Sequence, residues 1–236
     1  MKTNLLLLLF LFTTVNAFSA VKTWDGGGAD TNWATAANWV GDVAPVVNDD
    51  LVFPVNAARF STNNNLGLLT NYRTLTIEGG NYTIGGNAIR LTNGLTVNAG
   101  THFINVIINL GAAQTFTAAS AAFVTIPILS VGNFPLSFDG DGIFGIGLIT
   151  GSGSLTRNGL GATLLAAASN FTGGIILNNG VFVVDANIPN SPVTINSGAV
   201  GGQFGFSGFG GTGTIGATTV AAGVISSGTL NSPTEF

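Results

Sequence analysis

Cysteine is absent from the 236 residues of this chain, so no disulfide can stabilise it. Charged residues make up only 7%, far below the roughly 25% of an ordinary soluble protein. Amphipathic helices with charged outer faces are therefore not expected to dominate. The fold must depend on apolar packing and backbone hydrogen bonds, and its surface on uncharged polar side chains.

Basic residues and histidine are also scarce. Lys and Arg together number 6, spread along a chain whose formal charge is -4. Proteins that bind nucleic acids need clustered Lys and Arg for the phosphates, so nucleic acid is not expected as a partner. The one histidine, His102, has no acidic or nucleophilic neighbour in the sequence. This favours a packing or surface role over catalysis.

The N-terminal segment is the one long apolar run. In "MKTNLLLLLFLFTTVNA", a basic Lys2 precedes the apolar run 5–12, and small residues follow it. This pattern predicts a signal peptide, 1–17, and a protein that is secreted or displayed at a cell surface. The absence of cysteine favours a bacterial source. The alternative is a buried N-terminal strand or helix. The run is too short to span a bilayer, and no transmembrane segment is expected after cleavage.

Glycine and asparagine are abundant and separate many short apolar stretches. From 75 onward, triplets that alternate apolar, polar and apolar residues are divided by phrases such as "EGGN", "GGNA" and "TNG". Related phrases recur at Leu95, Ile175, Val193 and Thr218. This pattern favours a solenoid over successive hairpins. We expect a parallel β-helix over 61–236, with about seven to nine coils of about twenty to twenty-five residues.

The region before the repeats has a different composition. It contains all three tryptophans, Trp24, Trp33 and Trp39. A solenoid needs a cover over its first coil, so 18–60 is predicted to be an N-terminal cap whose indoles close the apolar end. The alternative is a glycan-binding platform in which exposed faces of these three side chains stack on sugar rings.

The stretch 151–184, "GSGSLTRNGLGATLLAAASNFTGGIILNNGVFVV", resembles the autotransporter-associated β-strand repeat of exported bacterial proteins. The positions that match the repeat are Gly151, Gly153, Leu155, Gly159, Gly161, Leu164, Asn170, Phe171, Thr172, Gly173, Gly174, Ile176 and Gly180. Arg157 stands where the repeat usually has lysine. The resemblance implies a right-handed, single-stranded parallel β-helix that is displayed at the cell surface or released from it. It implies no shared reaction.

Residues that could support catalysis or bind metal are few. Asp139 and Asp141 lie two positions apart on a glycine-rich turn, a spacing that suits calcium, but the other ligands of a calcium loop are absent and a solvated turn is the alternative. Asp49 and Asp50 are adjacent and would point to opposite faces of a strand. We therefore predict no catalytic, cofactor or metal site.

Two functional hypotheses remain open at this stage. The first is an exported, non-catalytic structural or adhesive protein that contacts surface glycans or other cell-surface molecules. The second is a carbohydrate-binding or carbohydrate-active β-helix protein. The enzyme form of the second hypothesis requires acidic side chains to converge on one groove.

Overall fold

The computed structural model describes residues 19–196, 208–221 and 224–225. The predicted signal peptide, 1–17, lies outside the described residues. So do parts of the two repeated phrases that begin at Val193 and at Thr218. In the described residues the regular structure is β, apart from one 3-10 turn, Ala36–Asn38. The first ten strands are β1 (Val21–Thr23), β2 (Asp50–Phe53), β3 (Ser61–Asn64), β4 (Thr70–Ile77), β5 (Thr83–Gly86), β6 (Ile89–Val97), β7 (Gly100–Ile104), β8 (Ile108–Leu110), β9 (Gln114–Ala118) and β10 (Ala122–Gly132). The others are β11 (Leu136–Asp139), β12 (Ile143–Gly151), β13 (Leu155–Arg157), β14 (Ala162–Phe171), β15 (Ile175–Leu177), β16 (Val181–Val184), β17 (Val193–Ile195), β18 (Gly208–Gly210), β19 (Thr218–Val220) and β20 (Val224–Ile225).

These strands form a parallel β-solenoid of about seven turns, which confirms the predicted fold class. Each strand pairs in parallel with the equivalent strand of the next coil, so the strands stack in three faces. The first face contains β1, β2, the end of β4, the end of β6, β9, β11, β13, β15, β17 and β19. The second contains β3, β5, β7, the beginnings of β10, β12 and β14, β16, β18 and β20. The third contains the beginnings of β4 and β6, β8, and the ends of β10, β12 and β14.

Alternation along each strand sends one set of side chains inward. Strand β9, for example, alternates buried positions with exposed or half-buried ones, as a strand with one packed face must. Because the coils are in register, inward residues form columns. One column of the first face contains Leu51, Leu75, Leu95, Phe116, Phe138, Arg157, Leu177 and Ile195. The core is therefore a continuous apolar stack with one guanidinium in it.

The three tryptophans lie in an aromatic cluster at the N-terminal end of the core. Each indole is 0% exposed. The ring centroid of Trp33 lies 5.9 Å from the ring centroids of Trp39 and Tyr72 and 5.8 Å from that of Phe53. All three indole N–H groups donate hydrogen bonds inside the protein, to Arg59 O, Thr62 Oγ1 and Trp33 O. The interpretation of Trp24, Trp33 and Trp39 as an exposed sugar-stacking platform is therefore wrong, because no indole face reaches solvent.

Glycines of the repeat-like stretch allow the coils to approach each other closely. A Cβ on Gly153 would lie 1.9 Å from the carbonyl oxygen of Phe134, and one on Gly159 would lie 2.2 Å from that of Gly140. Each of these neighbours belongs to the preceding coil. Only glycine fits at such positions, which gives a physical reason for the glycine spacing of 151–184.

No helix in the described part of the chain is long and apolar enough to cross a membrane.

The predicted cap region, 18–60, includes β1 and β2, which already belong to the first face.

Candidate functional site: a polar groove at one corner of the solenoid

Asp25, Asp49 and Asp185 are far apart in the sequence, and each accepts hydrogen bonds from backbone N–H groups. Asp25 Oδ1 accepts from the Gly27 N–H at 2.9 Å, and Asp185 Oδ1 accepts from the Thr212 N–H at 2.9 Å. Asp49 is buried and accepts from the N–H groups of Ala20 and Val46. In the described ranges no three His, Cys, Asp or Glu side chains come close enough to share a metal ion. These three aspartates therefore form no shared metal site with one another or with other described residues.

Asp139 and Asp141 have a guanidinium beside them. Arg157 is 0% exposed and donates a hydrogen bond to the carbonyl oxygen of Gly140, between the two aspartates. Burial lowers the pKa of Arg157 to about 10, and the charges of Asp139 and Asp141 oppose that shift. The positive charge of Arg157 disfavours the binding of a metal cation by Asp139 and Asp141. The two carboxylates therefore compensate a buried arginine, which the alternation of the triplet "LTR" turns inward.

His102 occupies an inward position of the second face and is 0% exposed. Its Nδ1 accepts a hydrogen bond from the Tyr82 N–H at 3.1 Å, and its Nε2 lies 2.6 Å from the Ala99 carbonyl oxygen. These contacts fit a neutral ring protonated at Nε2. Burial lowers the pKa of His102, and the hydrogen bond to Ala99 partly opposes this. Of the packing and surface roles that the sequence left open, the buried position shows packing.

The free energy of unfolding is expected to depend on pH through His102. Because the folded pKa lies below that of an exposed histidine, the stability is fully present above about pH 6.5 and is lost as pH falls through the folded pKa. Urea unfolding followed at pH 7.5 and at lower values checks this. His102→Gln, which keeps a donor and an acceptor, is the control and should lack that part of the pH dependence. The same pH dependence in both proteins would contradict it.

One surface groove brings polar side chains of four coils together, and sequence reasoning did not find it. It lies where the third face turns toward the first and has a volume of about 430 Å³. This corner groove is lined by Asn71, Arg90, Thr92, Asn109, Leu110, Gly111, Ser130, Gly132 and Phe134. Its volume falls within the range of about 300–1,000 Å³ that is usual for small-ligand sites.

The register of the third face aligns the polar residues of the corner groove. Asn71 is paired with Arg90, Arg90 with Asn109, and Asn109 with Ser130. Neighbouring members of this column lie about 4.8 Å apart, the spacing of paired strands. In the sequence these four polar residues follow one another at intervals of about one coil. That interval is the signal from which the column could have been predicted.

Arg90 carries the charge of the corner groove. In the described residues the one ion pair joins Arg73 to Asp50, at 3.5 Å, and the Arg90 guanidinium has neither a carboxylate nor a hydrogen-bond partner there. The side chain of Arg90 lies against Gly111: a Cβ at that glycine would be 3.0 Å from Arg90 Cδ. The groove therefore presents a positioned, unpaired cation among neutral donors and acceptors.

Comparisons of the chain with protein-family models, with curated proteins and with solved structures find no significant match. The resemblance of 151–184 to the autotransporter-associated repeat therefore stays a prediction from its residues. What the protein does has to be inferred from its own surfaces.

Proposed function

We propose that this chain is an exported, non-catalytic structural and adhesive β-solenoid, displayed at or released from the bacterial cell surface. The N-terminal segment 1–17 supports export because it has the sequence pattern of a signal peptide. The cysteine-free framework supports an extended structural role, since its stability comes from coil stacking along the whole rod.

The observation that carries the proposal is the regular polar surface of the first face. Coil stacking aligns the outward residues Thr76, Thr96, Thr117 and Asp139 in a column, one per coil. Asn158, Asn178 and Asn196 continue it, since the backbone N–H of each bonds to the coil before it. Within it, Asn178 Nδ2 donates to Asn158 Oδ1 at 2.8 Å, and Asn196 Nδ2 donates to Asn178 Oδ1 at 3.0 Å. A row of small polar groups, uncharged except for Asp139, suits adhesion, because many weak contacts act together along a repetitive surface.

The basic residues do not favour nucleic acid as the partner. Arg157 is buried, Arg59 donates to the carbonyl oxygens of Gly26 and Gly28, and Arg73 is paired with Asp50. No row of cations that could follow a phosphate backbone is formed in the described part of the chain. Neutral or weakly acidic surface polymers fit this surface better.

Export is tested with a fusion of residues 1–20 to alkaline phosphatase, which is active only after its disulfides form outside the cytoplasm. We expect active enzyme outside the cytoplasm and cleavage after Ala17. Leu8→Arg interrupts the apolar run and should abolish export, whereas Asn4→Arg adds the same charge before the run and should not. A wild-type fusion that remains in the cytoplasm would refute the exported state.

The adhesive role is tested separately with the processed full-length chain on beads. Beads carrying the folded protein should attach to bacterial cells or to their isolated extracellular polymers, and beads carrying urea-unfolded protein should not. Failure to attach to either target would contradict adhesion and would leave the export result untouched.

Carbohydrate binding is the second candidate function, and the corner groove favours it. Its amides, hydroxyls and partly buried aromatic ring are groups that bind sugars in concave sites. This candidate no longer involves the three tryptophans.

A further inference from the structure

We propose that the corner groove binds a carboxylated sugar unit, a uronate, within an extracellular polysaccharide. This inference rests on the second candidate function. Its test is separate from the tests of export and of adhesion through the first face.

Arg90 is the group that would recognise the carboxylate. A guanidinium presents its N–H donors in a planar fork that matches the two oxygens of a carboxylate. Arg90 has no competing acid in the described residues, so its fork is available to a ligand. The packing of its stem against Gly111 restricts the side chain before binding, which reduces the entropy lost when a ligand is held.

The residues beside Arg90 provide groups for the sugar hydroxyls. Asn71 and Asn109 are its register partners on the two neighbouring coils, and Ser130 lies one coil further. In the described residues the side chains of Asn71 and Ser130 have no hydrogen-bond partner, and Asn109 has only a long contact of 3.5 Å to the Ile89 carbonyl oxygen. These neutral groups donate and accept, as sugar hydroxyls do.

The edge of the corner groove adds an apolar wall. Phe134 is partly buried against the core and also lines the groove, together with Leu110. The C–H groups of a sugar ring can pack against such a wall while its hydroxyls face the amides. A groove lined by both polar side chains and an aromatic ring fits a pyranose better than a small inorganic anion.

The single positive charge of the corner groove, on Arg90, favours one class of acidic ligand over the others. A densely charged phosphate or sulfate polymer gains affinity from many cations, and the corner groove contains one. A neutral sugar would leave the guanidinium without an ionic partner. One carboxylate per sugar unit matches one arginine.

The test compares two ligands with the same sugar chain, one with free carboxylates and one with neutral methyl esters. Oligogalacturonate is titrated into the processed chain by calorimetry at low salt, alongside its fully methyl-esterified form. We expect the ester to bind about tenfold or more weakly, since a charge-assisted hydrogen bond is worth at least that factor. Equal binding of the two ligands, or of neither, would overturn the proposal without the need for any variant.

Variants then locate the site. Arg90→Gln should weaken oligogalacturonate binding about tenfold or more, and Arg90→Lys should weaken it less because a charge without the fork remains. Arg73→Gln is the control: it removes the same charge from an exposed side chain outside the corner groove. Thermal unfolding establishes that each variant is folded. Equal losses in Arg73→Gln and Arg90→Gln would refute a specific site.

A third ligand distinguishes the source of the anion. Sulfated oligosaccharides of similar length should bind more weakly than oligogalacturonate at moderate salt. Tighter binding of the sulfated ligand would overturn the assignment to a carboxylate. Export and adhesion have their own readouts, so failure here is distinguishable from failure of the proposed function.

Discussion

Trp33→Ala is expected to lower the free energy of unfolding by about 3–5 kcal/mol, the usual cost of removing a large buried aromatic side chain. The indole is 0% exposed and contacts the rings of Trp39, Phe53 and Tyr72. Its N–H also donates to Thr62 Oγ1 at 3.0 Å, so the substitution leaves a buried hydroxyl without this partner. The loss is comparable with much of the stability of a typical domain.

Fluorescence gives a direct readout because all three tryptophans lie in the same cluster. Urea unfolding followed by tryptophan emission reports the N-terminal end, and far-ultraviolet circular dichroism reports the whole stack of coils. In a solenoid each repeat is stabilised mainly by its neighbours. The substitution should therefore lower the urea midpoint of the fluorescence transition more than that of the circular dichroism transition. Val40→Ala, at a side chain that is 61% exposed in the same region, is the control and should change little. A loss below about 1 kcal/mol in Trp33→Ala would show that the indole is not buried as described.

Gly153→Ala is expected to destabilise the rod by about 3 kcal/mol or more, at the upper end for inserting a methyl group into a packed structure. A Cβ there would lie 1.9 Å from the Phe134 carbonyl oxygen and 2.5 Å from the carbonyl carbon. Backbone atoms cannot turn aside as a flexible side chain can. The two coils must therefore separate locally, which weakens the hydrogen bonds between them.

Gly174→Ala is the matched control from the same repeat-like stretch. A Cβ at Gly174 would meet nothing nearer than the Pro192 carbonyl oxygen, at 3.5 Å. The change in stability should remain within about 0.5 kcal/mol. Chemical denaturation of both variants by urea, followed by circular dichroism, gives the comparison. Equal stability of the two variants would mean that glycine at 153 is not required by close approach of the coils.

The coiled architecture was predictable because its signals are local. Alternation within a triplet indicates which side chains point inward. Glycine or asparagine between triplets indicates where the chain turns. The inward position of Arg157 follows from the same rule, since Leu155 and Arg157 flank an outward Thr156. Its burial between the two aspartates of the adjacent coil could not be inferred from the triplet alone.

The packing partners of the tryptophans and the residues of the corner groove were beyond such reasoning for one physical reason. Whether an indole is exposed depends on what packs against it, and Phe53 and Tyr72 reach Trp33 only after β2 and β4 are stacked. The corner groove likewise combines residues from four coils, and register alone places Asn71 and Asn109 on either side of Arg90. Local pattern specified the strands, the turns and the absence of disulfides. Contacts between distant coils specified which polar groups became a surface site, because such contacts exist only in the folded stack.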